Sequence, residues 1–264
     1  MNNTLKQAYL LYKHYRKKKT NQIDKYNIHH ILKELNSKGY YVIENYFDNE
    51  TCNELVKEIN LLHKDTEKIK FDSNSNDFRL NGADRISLKV KSFADDKYLL
   101  AIANTFLKEP TACFFTLAAK IESKKNSLGS GGDWHRDITL PDQFKSMIYL
   151  CDVSEENGPF EYLENSNKAL SLIDMTINFG LEHSQNRLTN KIVSEKILRK
   201  KRYKSVDFKA KKGTLILFNS FGIHRGKPLN SGNRYALTNY YFPKAYIQKN
   251  IKYLTEKFKL PNEK

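Results

Sequence analysis

The sequence is poor in cysteine and contains no long hydrophobic run. Cys52, Cys113 and Cys151 are odd in number, far apart and without a CxxC pair, which favours reduced, buried thiols over disulfides or a zinc site. No apolar stretch approaches the length that spans a bilayer, and residues 2–27 hold no apolar core of a secretory signal. These absences predict a soluble, cytoplasmic protein.

Acidic residues are in short supply relative to basic ones. The chain has 30 Asp and Glu against 45 Lys and Arg, a formal net charge of +15. The densest basic clusters are 124–125, 199–204 and 209–212. Because this excess attracts polyanions, we expect an anionic partner: a phosphate- or carboxylate-bearing small molecule, an anionic glycolipid, or an anionic membrane surface at which the protein is peripheral. Nucleic acid is the less favoured partner.

Both ends of the chain are basic. Residues 1–27 form a polar extension, for which a solvated helix is favoured over a contact with a polyanion. Residues 244–264 predict a basic amphipathic tail, because apolar residues recur there at helical spacing. These residues are Ile247, Ile251, Leu254 and Phe258. Docking of the tail on its own domain is favoured, and binding to an anionic membrane surface or a partner is the alternative.

Between these ends, short β-type segments dominate and predict one domain over residues 28–243. The predicted strands are 40–43, 112–121, 147–153, 160–163, 205–208, 213–218 and 234–241. The predicted helices are 28–38, one that Asp48 caps, and 96–107. The Asn-, Ser- and Asp-rich stretch 71–83 indicates a mobile loop, as a surface excursion or, less favoured, a lid. Residues 170–190 have weak periodicity and are predicted to cross the mouth of the domain.

A metal-binding pattern starts at His135. In a strand, residues two apart point to the same face, so His135 and Asp137 can reach one metal ion while Arg136 points away. His224 follows an apolar strand and a turn, far enough along the chain to arrive from a neighbouring strand. Two imidazoles and one carboxylate with open positions are the facial triad of non-haem Fe(II) oxygenases. His-x-Asp alone is a weak signal, so the context of His224 carries the interpretation.

That context includes an arginine after the second histidine. A turn at 230–233 leads into a returning strand, and Arg234 lies at its start. An arginine at this place can donate two parallel hydrogen bonds to a carboxylate inside the domain.

These segments, together with 149–160 and 213–215, resemble the phytanoyl-CoA dioxygenase family of Fe(II)/2-oxoglutarate enzymes, over about residues 39–241. The resemblance implies a mainly β fold with flanking helices, a double-stranded β-helix of the jelly-roll or cupin type. It also implies iron on His135, Asp137 and His224, and 2-oxoglutarate held through its far carboxylate by Arg234.

Two further residues are candidates for binding the co-substrate, the first of them through the resemblance. A basic or amide side chain on the strand before His-x-Asp often contacts the co-substrate in this family, and Lys120 is the candidate. Trp134, directly before His135, is the other candidate, as a wall of the site or as core packing and not as a catalyst. The chain departs from the family at Gly226, where many members have serine, and at 164–167, where Glu-Asn-Ser-Asn replaces Pro-Gly-Ser-His. The spacing from His224 to Arg234 is also short for the family.

The activity that the resemblance implies is a hydroxylation that consumes O2 and 2-oxoglutarate and releases succinate and CO2. The expected substrate carries an aliphatic carbon on an anionic small molecule or glycolipid. A halogenase of the same fold lacks the carboxylate ligand, so Asp137 counts against that class. A nucleic-acid demethylase of the same fold and a non-catalytic, metal-binding cupin-like module remain as alternatives.

Overall fold

The structure, a computed structural model, describes residues 27–64, 70–72, 77–131, 133–137, 143–181 and 185–258. Residues 1–26 of the basic extension 1–27, residues 73–76 of the predicted loop and the last tail residues 259–264 lie outside these ranges. In the described part of the chain, no helix has the length and apolar character needed to cross a membrane.

Groups of helices are interspersed with groups of strands along the chain. The helices are α1 Ile28–Ser37, α2 Asn49–Lys64, α3 Leu88–Ala94, α4 Lys97–Leu107, α5 Ala169–Phe179, α6 Asn190–Ile192 and α7 Lys244–Lys257, with a 3-10 turn at Ala83–Arg85 and a π-helical turn at Val193–Ile197. The strands are β1 Tyr40–Ile43, β2 Lys70–Asp72, β3 Asp77–Asn81, β4 Thr111–Glu122, β5 Phe144–Tyr149, β6 Phe160–Glu164, β7 Lys204–Phe208, β8 Leu215–Asn219, β9 His224–Gly226 and β10 Asn233–Pro243.

Two antiparallel sheets form the body of the protein. The larger sheet has the strand order β1-β8-β5-β10-β4-β3-β2 and the smaller one β7-β6-β9. Aromatic and aliphatic side chains from both sheets share one buried cluster, among them Tyr149, Phe160, Tyr162, Ile216 and Phe218. The two sheets therefore face each other, which is the mainly antiparallel architecture that the sequence predicts.

Helices cover the outer face of the larger sheet. Asp48 accepts a hydrogen bond from the Thr51 amide at 2.8 Å at the start of α2, and Asp96 accepts one from the Tyr98 amide at 3.0 Å at the start of α4. Each such cap contributes about 1 kcal/mol. The apolar sides of these helices are buried in the main core, which includes Cys52, Leu55, Ile59, Leu99 and Ile102.

The tail helix α7 packs on the same protein. Leu254 is fully buried, and the Phe258 ring stacks on Phe115 of β4 with 4.4 Å between the ring centroids. Most of the apolar side of α7 is therefore in contact with the sheet, in agreement with the favoured interpretation of the tail. Ile251 remains exposed.

Two predictions of secondary structure need correction, and a segment to which the sequence assigns no secondary structure contains a helix. Residues 77–81 are not loop: they form β3, which pairs with β4 over its whole length. The strand predicted at 147–153 begins and ends earlier, at Phe144–Tyr149. The segment of weak periodicity at 170–190 contains the helix α5, which ends at Gly180 in the left-handed region. Each correction matters for the site or its surroundings.

Candidate active site

His135, Asp137 and His224 converge at one end of the space between the sheets. Their potential ligand atoms all lie within 4.8 Å of one another. The backbones of His135 and His224 exchange two hydrogen bonds of 2.9 and 2.8 Å, which places the two imidazole rings side by side. The Asp137 amide donates to the Ser220 carbonyl at 3.0 Å and so fixes the carboxylate next to them. The strand spacing that the sequence predicts thus brings the three side chains together.

Both imidazoles are oriented through the same kind of contact. Nδ1 of His135 lies 2.9 Å from the Asp133 carbonyl, and Nδ1 of His224 lies 2.8 Å from the Gly222 carbonyl. A ring that donates its Nδ1 proton to a carbonyl presents an unprotonated Nε2, the form that binds a metal ion. Burial lowers the pKa of His224 to about 4, and burial and the adjacent imidazole hold the pKa of His135 well below its usual range. Both rings are therefore neutral near pH 7.

Gly131 makes room for one of these rings. A Cβ at this position would lie 2.6 Å from Cε1 of His135, and the residue has a φ of +87°. Glycine is thus required for two reasons, the backbone conformation and the close approach of the imidazole.

Lys145 is a site residue that sequence reasoning missed. It is buried on β5, and its Nζ contacts Oδ2 of Asp137 and lies 4.0 Å from the Tyr240 ring centroid. Burial disfavours both charges, but the mutual attraction prevails: the pKa of Lys145 is raised and that of Asp137 is lowered below its usual range. The contact engages one carboxylate oxygen and leaves the other for a metal ion.

Arg234 is buried at the start of β10 and lines a cavity that His135, Asp137 and His224 also line. Its Nη1 is shielded from solvent and has no hydrogen-bond partner among the described residues. Leaving a buried donor unpaired costs about 1–3 kcal/mol or more when the group is charged, so this atom marks a place for an anion. Burial lowers the pKa of the guanidinium, but the group stays protonated because arginine titrates far above neutral pH. The three triad residues line the same cavity as this unpaired donor.

Two more arginines border the cavity, which has a volume of about 190 Å³. Arg79 of β3 donates to Asp77 Oδ2 at 2.7 Å and to Ser130 Oγ at 2.7 Å. Arg187 is exposed, forms an antiparallel bridge with His135 and donates to the Gly131 carbonyl. The apolar part of the wall comes from Leu117, Met147, Phe160 and Phe218.

Lys120 lies elsewhere, contrary to its predicted place, and Trp134 lies in a core, the second of the two places predicted for it. Lys120 projects from the opposite face of β4, where its Nζ pairs with Glu122 at 2.6 Å and lies near the Phe78 ring. Trp134 is buried in a separate core with Met175, and its Nε1 donates to Asn190 at 3.3 Å. Neither lines the cavity. For Lys120 the prediction failed by one residue of strand alternation, since Arg79 pairs with its neighbour Ala119.

The sequence profile described as "Phytanoyl-CoA dioxygenase (PhyH)" matches residues 35–236. The chain belongs to this family. As a phytanoyl-CoA dioxygenase family protein it is an Fe(II)/2-oxoglutarate-dependent oxygenase, which confirms the predicted enzyme class and cofactors. No curated protein matches the sequence.

Solved structures show the same fold. The epimerase SnoN from nogalamycin biosynthesis, in complex with Fe3+, alpha ketoglutarate and nogalamycin RO, has a TM-score of 0.63 at 15% identity, covering 82% of this chain and 83% of that chain. HygX from Streptomyces hygroscopicus, with nickel, 2-oxoglutarate and hygromycin B bound, has a TM-score of 0.59 at 17% identity, covering 81% and 87%. The carbocyclase SnoK from nogalamycin biosynthesis has a TM-score of 0.61 at 16% identity, covering 81% and 83%. These likenesses confirm the predicted jelly-roll fold class.

Proposed function

We propose that this protein hydroxylates an aliphatic carbon of an anionic small molecule or an anionic glycolipid. In the overall reaction, one atom of O2 enters the C–H bond to give an alcohol. The other enters 2-oxoglutarate, which leaves as succinate and CO2. Iron and 2-oxoglutarate, when bound, supply the oxidising chemistry, and the protein supplies binding and orientation. We assign the iron to His135, Asp137 and His224.

The residues around the triad have distinct tasks in this proposal. Arg234 binds the far carboxylate of 2-oxoglutarate, because its buried guanidinium has a donor to spare. Lys145 holds Asp137 through one oxygen and thereby orients the other. The apolar wall of Leu117, Met147, Phe160 and Phe218 limits the access of water to the reacting carbon.

The distribution of charge in the cavity supports an anionic substrate. Of the four basic side chains that border it, Lys145 faces Asp137 and Arg79 faces Asp77. Within the described residues, no carboxylate lies at ion-pair distance from Arg187 or Arg234. If 2-oxoglutarate occupies Arg234, Arg187 remains at the exposed side of the cavity, next to His135. We assign the anionic group of the substrate to Arg187.

The same observations bear on the alternatives. A non-catalytic metal-binding module has no use for the unpaired buried donor of Arg234 beside the triad. A nucleic-acid demethylase accounts for the net charge of +15 equally well, so a substrate test must separate it from the proposed hydroxylase.

The test measures substrate-stimulated succinate release with a panel of acyl-CoAs, nucleotide sugars, lipid-linked sugars, oligonucleotides and neutral amino acids, at low and high salt. We expect an anionic small molecule or glycolipid to stimulate release, and Arg187→Ala to raise its KM about two- to fivefold, because an exposed charged pair is worth about 0.2–1 kcal/mol. Arg85→Ala, an exposed arginine away from the cavity, is the matched control. Stimulation by a neutral amino acid without salt dependence would contradict the proposal. Stimulation by oligonucleotides alone would favour the demethylase.

A further inference from the structure

Helix α5 exposes a row of large aliphatic side chains. Leu170, Ile173 and Ile177 are 75%, 54% and 75% exposed, and their spacing of three and four residues places them on one side of the helix. The opposite side is buried through Ser171 and Met175. A soluble surface tolerates single exposed aliphatic residues, but a contiguous row of this kind marks an interaction site.

A basic loop, residues 199–204, lies against the same helix. Arg202 pairs with Asp174 of α5, and the Tyr203 hydroxyl donates to the same carboxylate at 2.6 Å. At the start of the helix, Lys168 donates to Asn165, whose side chain donates to the Arg202 carbonyl at 2.9 Å. Four more exposed cations belong to this loop, namely Arg199, Lys200, Lys201 and Lys204. The aliphatic row is therefore flanked by positive charge.

We propose that α5 and the loop 199–204 form a docking surface for an anionic lipid bilayer. Aliphatic side chains beside lysine and arginine match the boundary between acyl chains and anionic headgroups, where the former insert and the latter pair with phosphate. A second copy of the chain would bring the same cations against this surface and be repelled. Nucleic acid would satisfy the cations but offers no apolar partner for the row.

The tail helix α7 is a weaker candidate for the same role. Its Leu254 and Phe258 are already in contact with the sheet, and among the described residues of the tail Ile251 is the one exposed large aliphatic side chain. The membrane contact that the sequence left as the alternative for the tail is therefore assigned to α5 in this proposal.

The docking surface is close to the candidate iron site. Met175, on the buried side of α5, accepts a hydrogen bond at its Sδ from Nη2 of Arg136 at 3.1 Å and shares a core with Trp134. Arg136 and Trp134 are the two neighbours of His135 in the chain. Docking of α5 would therefore leave only the thickness of this helix between the bilayer and the segment that carries the metal ligands His135 and Asp137. We therefore infer that the substrate is a lipid with an anionic headgroup. This inference about the substrate rests on the proposed function, whereas the docking itself does not.

The test is co-sedimentation of the full chain, at physiological salt, with vesicles of phosphatidylcholine alone or mixed in equal parts with phosphatidylglycerol. We expect binding to the mixed vesicles only. The triple variant Leu170→Ser, Ile173→Ser, Ile177→Ser retains every charge, and we expect its partition into mixed vesicles to fall about tenfold or more because insertion is lost. A charge variant, Arg199→Gln, Lys200→Gln, Lys201→Gln, should bind less at the same salt.

Matched controls separate the row from general surface effects. Leu61→Ser and Ile251→Ser alter side chains that are 61% and 46% exposed on other helices, and we expect both to bind as the wild type does. Melting curves and the emission of Trp134 show whether the triple variant is folded, and Ile177→Ser alone replaces it if it is not. The assay needs neither iron nor turnover, so its outcome is independent of the hydroxylase proposal.

Any one of three results would contradict the proposed docking surface. The first is that the triple variant, or Ile177→Ser in its place, binds mixed vesicles as tightly as the wild type does. The second is that the controls lose binding to the same extent as the triple variant. The third is that the wild type dimerises through the row, so that the triple variant is monomeric while its vesicle binding is unchanged.

Discussion

Gly226 and Arg234 are in a close steric relationship. A Cβ on Gly226 would lie 2.5 Å from Nη2 of Arg234 and 2.8 Å from Cβ of Ser130. The volume that a side chain at position 226 needs is thus already filled by the guanidinium and by Ser130. Many members of the family have serine at this position. In this chain Ser130 lies beside Gly226, and the hydroxyl of Ser130 accepts a hydrogen bond from Arg79 at 2.7 Å.

Gly226→Ser tests that relationship. The backbone of Gly226 is not in the left-handed region, so the cost of the substitution is steric. Overpacking of this kind typically costs about 1–3 kcal/mol, and displacement of Arg234 should lower the affinity for 2-oxoglutarate about tenfold. Calorimetric titration of 2-oxoglutarate into the metal-loaded protein measures it. Gly180→Ser, strained at a φ of +68° but away from the cavity, should lower the melting temperature and leave the affinity unchanged.

Arg234→Ala should weaken 2-oxoglutarate binding much more than metal binding. Truncation of one partner of a buried charged pair typically costs about 2–5 kcal/mol, so we expect the affinity for the co-substrate to fall more than tenfold. The metal ligands do not contact Arg234 directly, so iron affinity should be unchanged. Anaerobic titrations of iron and of 2-oxoglutarate measure the two affinities separately.

Lys120→Ala is the matched control, because Lys120 is also a cation of the larger sheet but projects from the other face. Its affinity for 2-oxoglutarate should equal that of the wild type. An effect of Lys120→Ala as large as that of Arg234→Ala would show that the co-substrate carboxylate is anchored at the other face of β4.

Lys145→Met should destabilise the metal-free protein and make it more dependent on metal. Removing the ammonium leaves Asp137 without its cation, and breaking a buried pair typically costs about 3 kcal/mol or more. A divalent ion at the triad restores a positive charge next to the carboxylate. Denaturant unfolding with and without Mn²⁺ should therefore show a larger gain in stability for the variant than for the wild type. Equal gains would mean that Lys145 does not act through Asp137.

The triad can be predicted from the sequence because it depends on patterns among residues that are close together in the chain. His135 and Asp137 follow from strand alternation, and His224 follows from the apolar strand and turn that precede it. The residues that the sequence did not reveal depend on strand limits and on pairing. A strand that starts at Phe144 places Lys145 on the same face as Met147, and both line the cavity, whereas a start at Met147 hides Lys145.

Arg79 and the α5 row were missed for different physical reasons. The polar composition around Arg79 is typical of a loop, and only pairing with β4 makes residues 77–81 a strand. In α5, aliphatic residues occur on both the buried and the exposed sides, so the sequence shows weak amphipathic periodicity. Residues 77–81 become a strand through tertiary pairing, whereas the exposed aliphatic residues of α5 are explained by the proposed contact with a bilayer and not by packing within the chain.

The central claim is that His135, Asp137 and His224 hold iron while Arg234 holds 2-oxoglutarate on it. The most direct measurement is the visible spectrum of the anaerobic protein after addition of Fe(II) and 2-oxoglutarate. We predict the weak charge-transfer band of an iron-chelated keto acid in the wild type, and no band in His135→Ala. Absence of the band in the wild type, or a full band in His135→Ala, would contradict it.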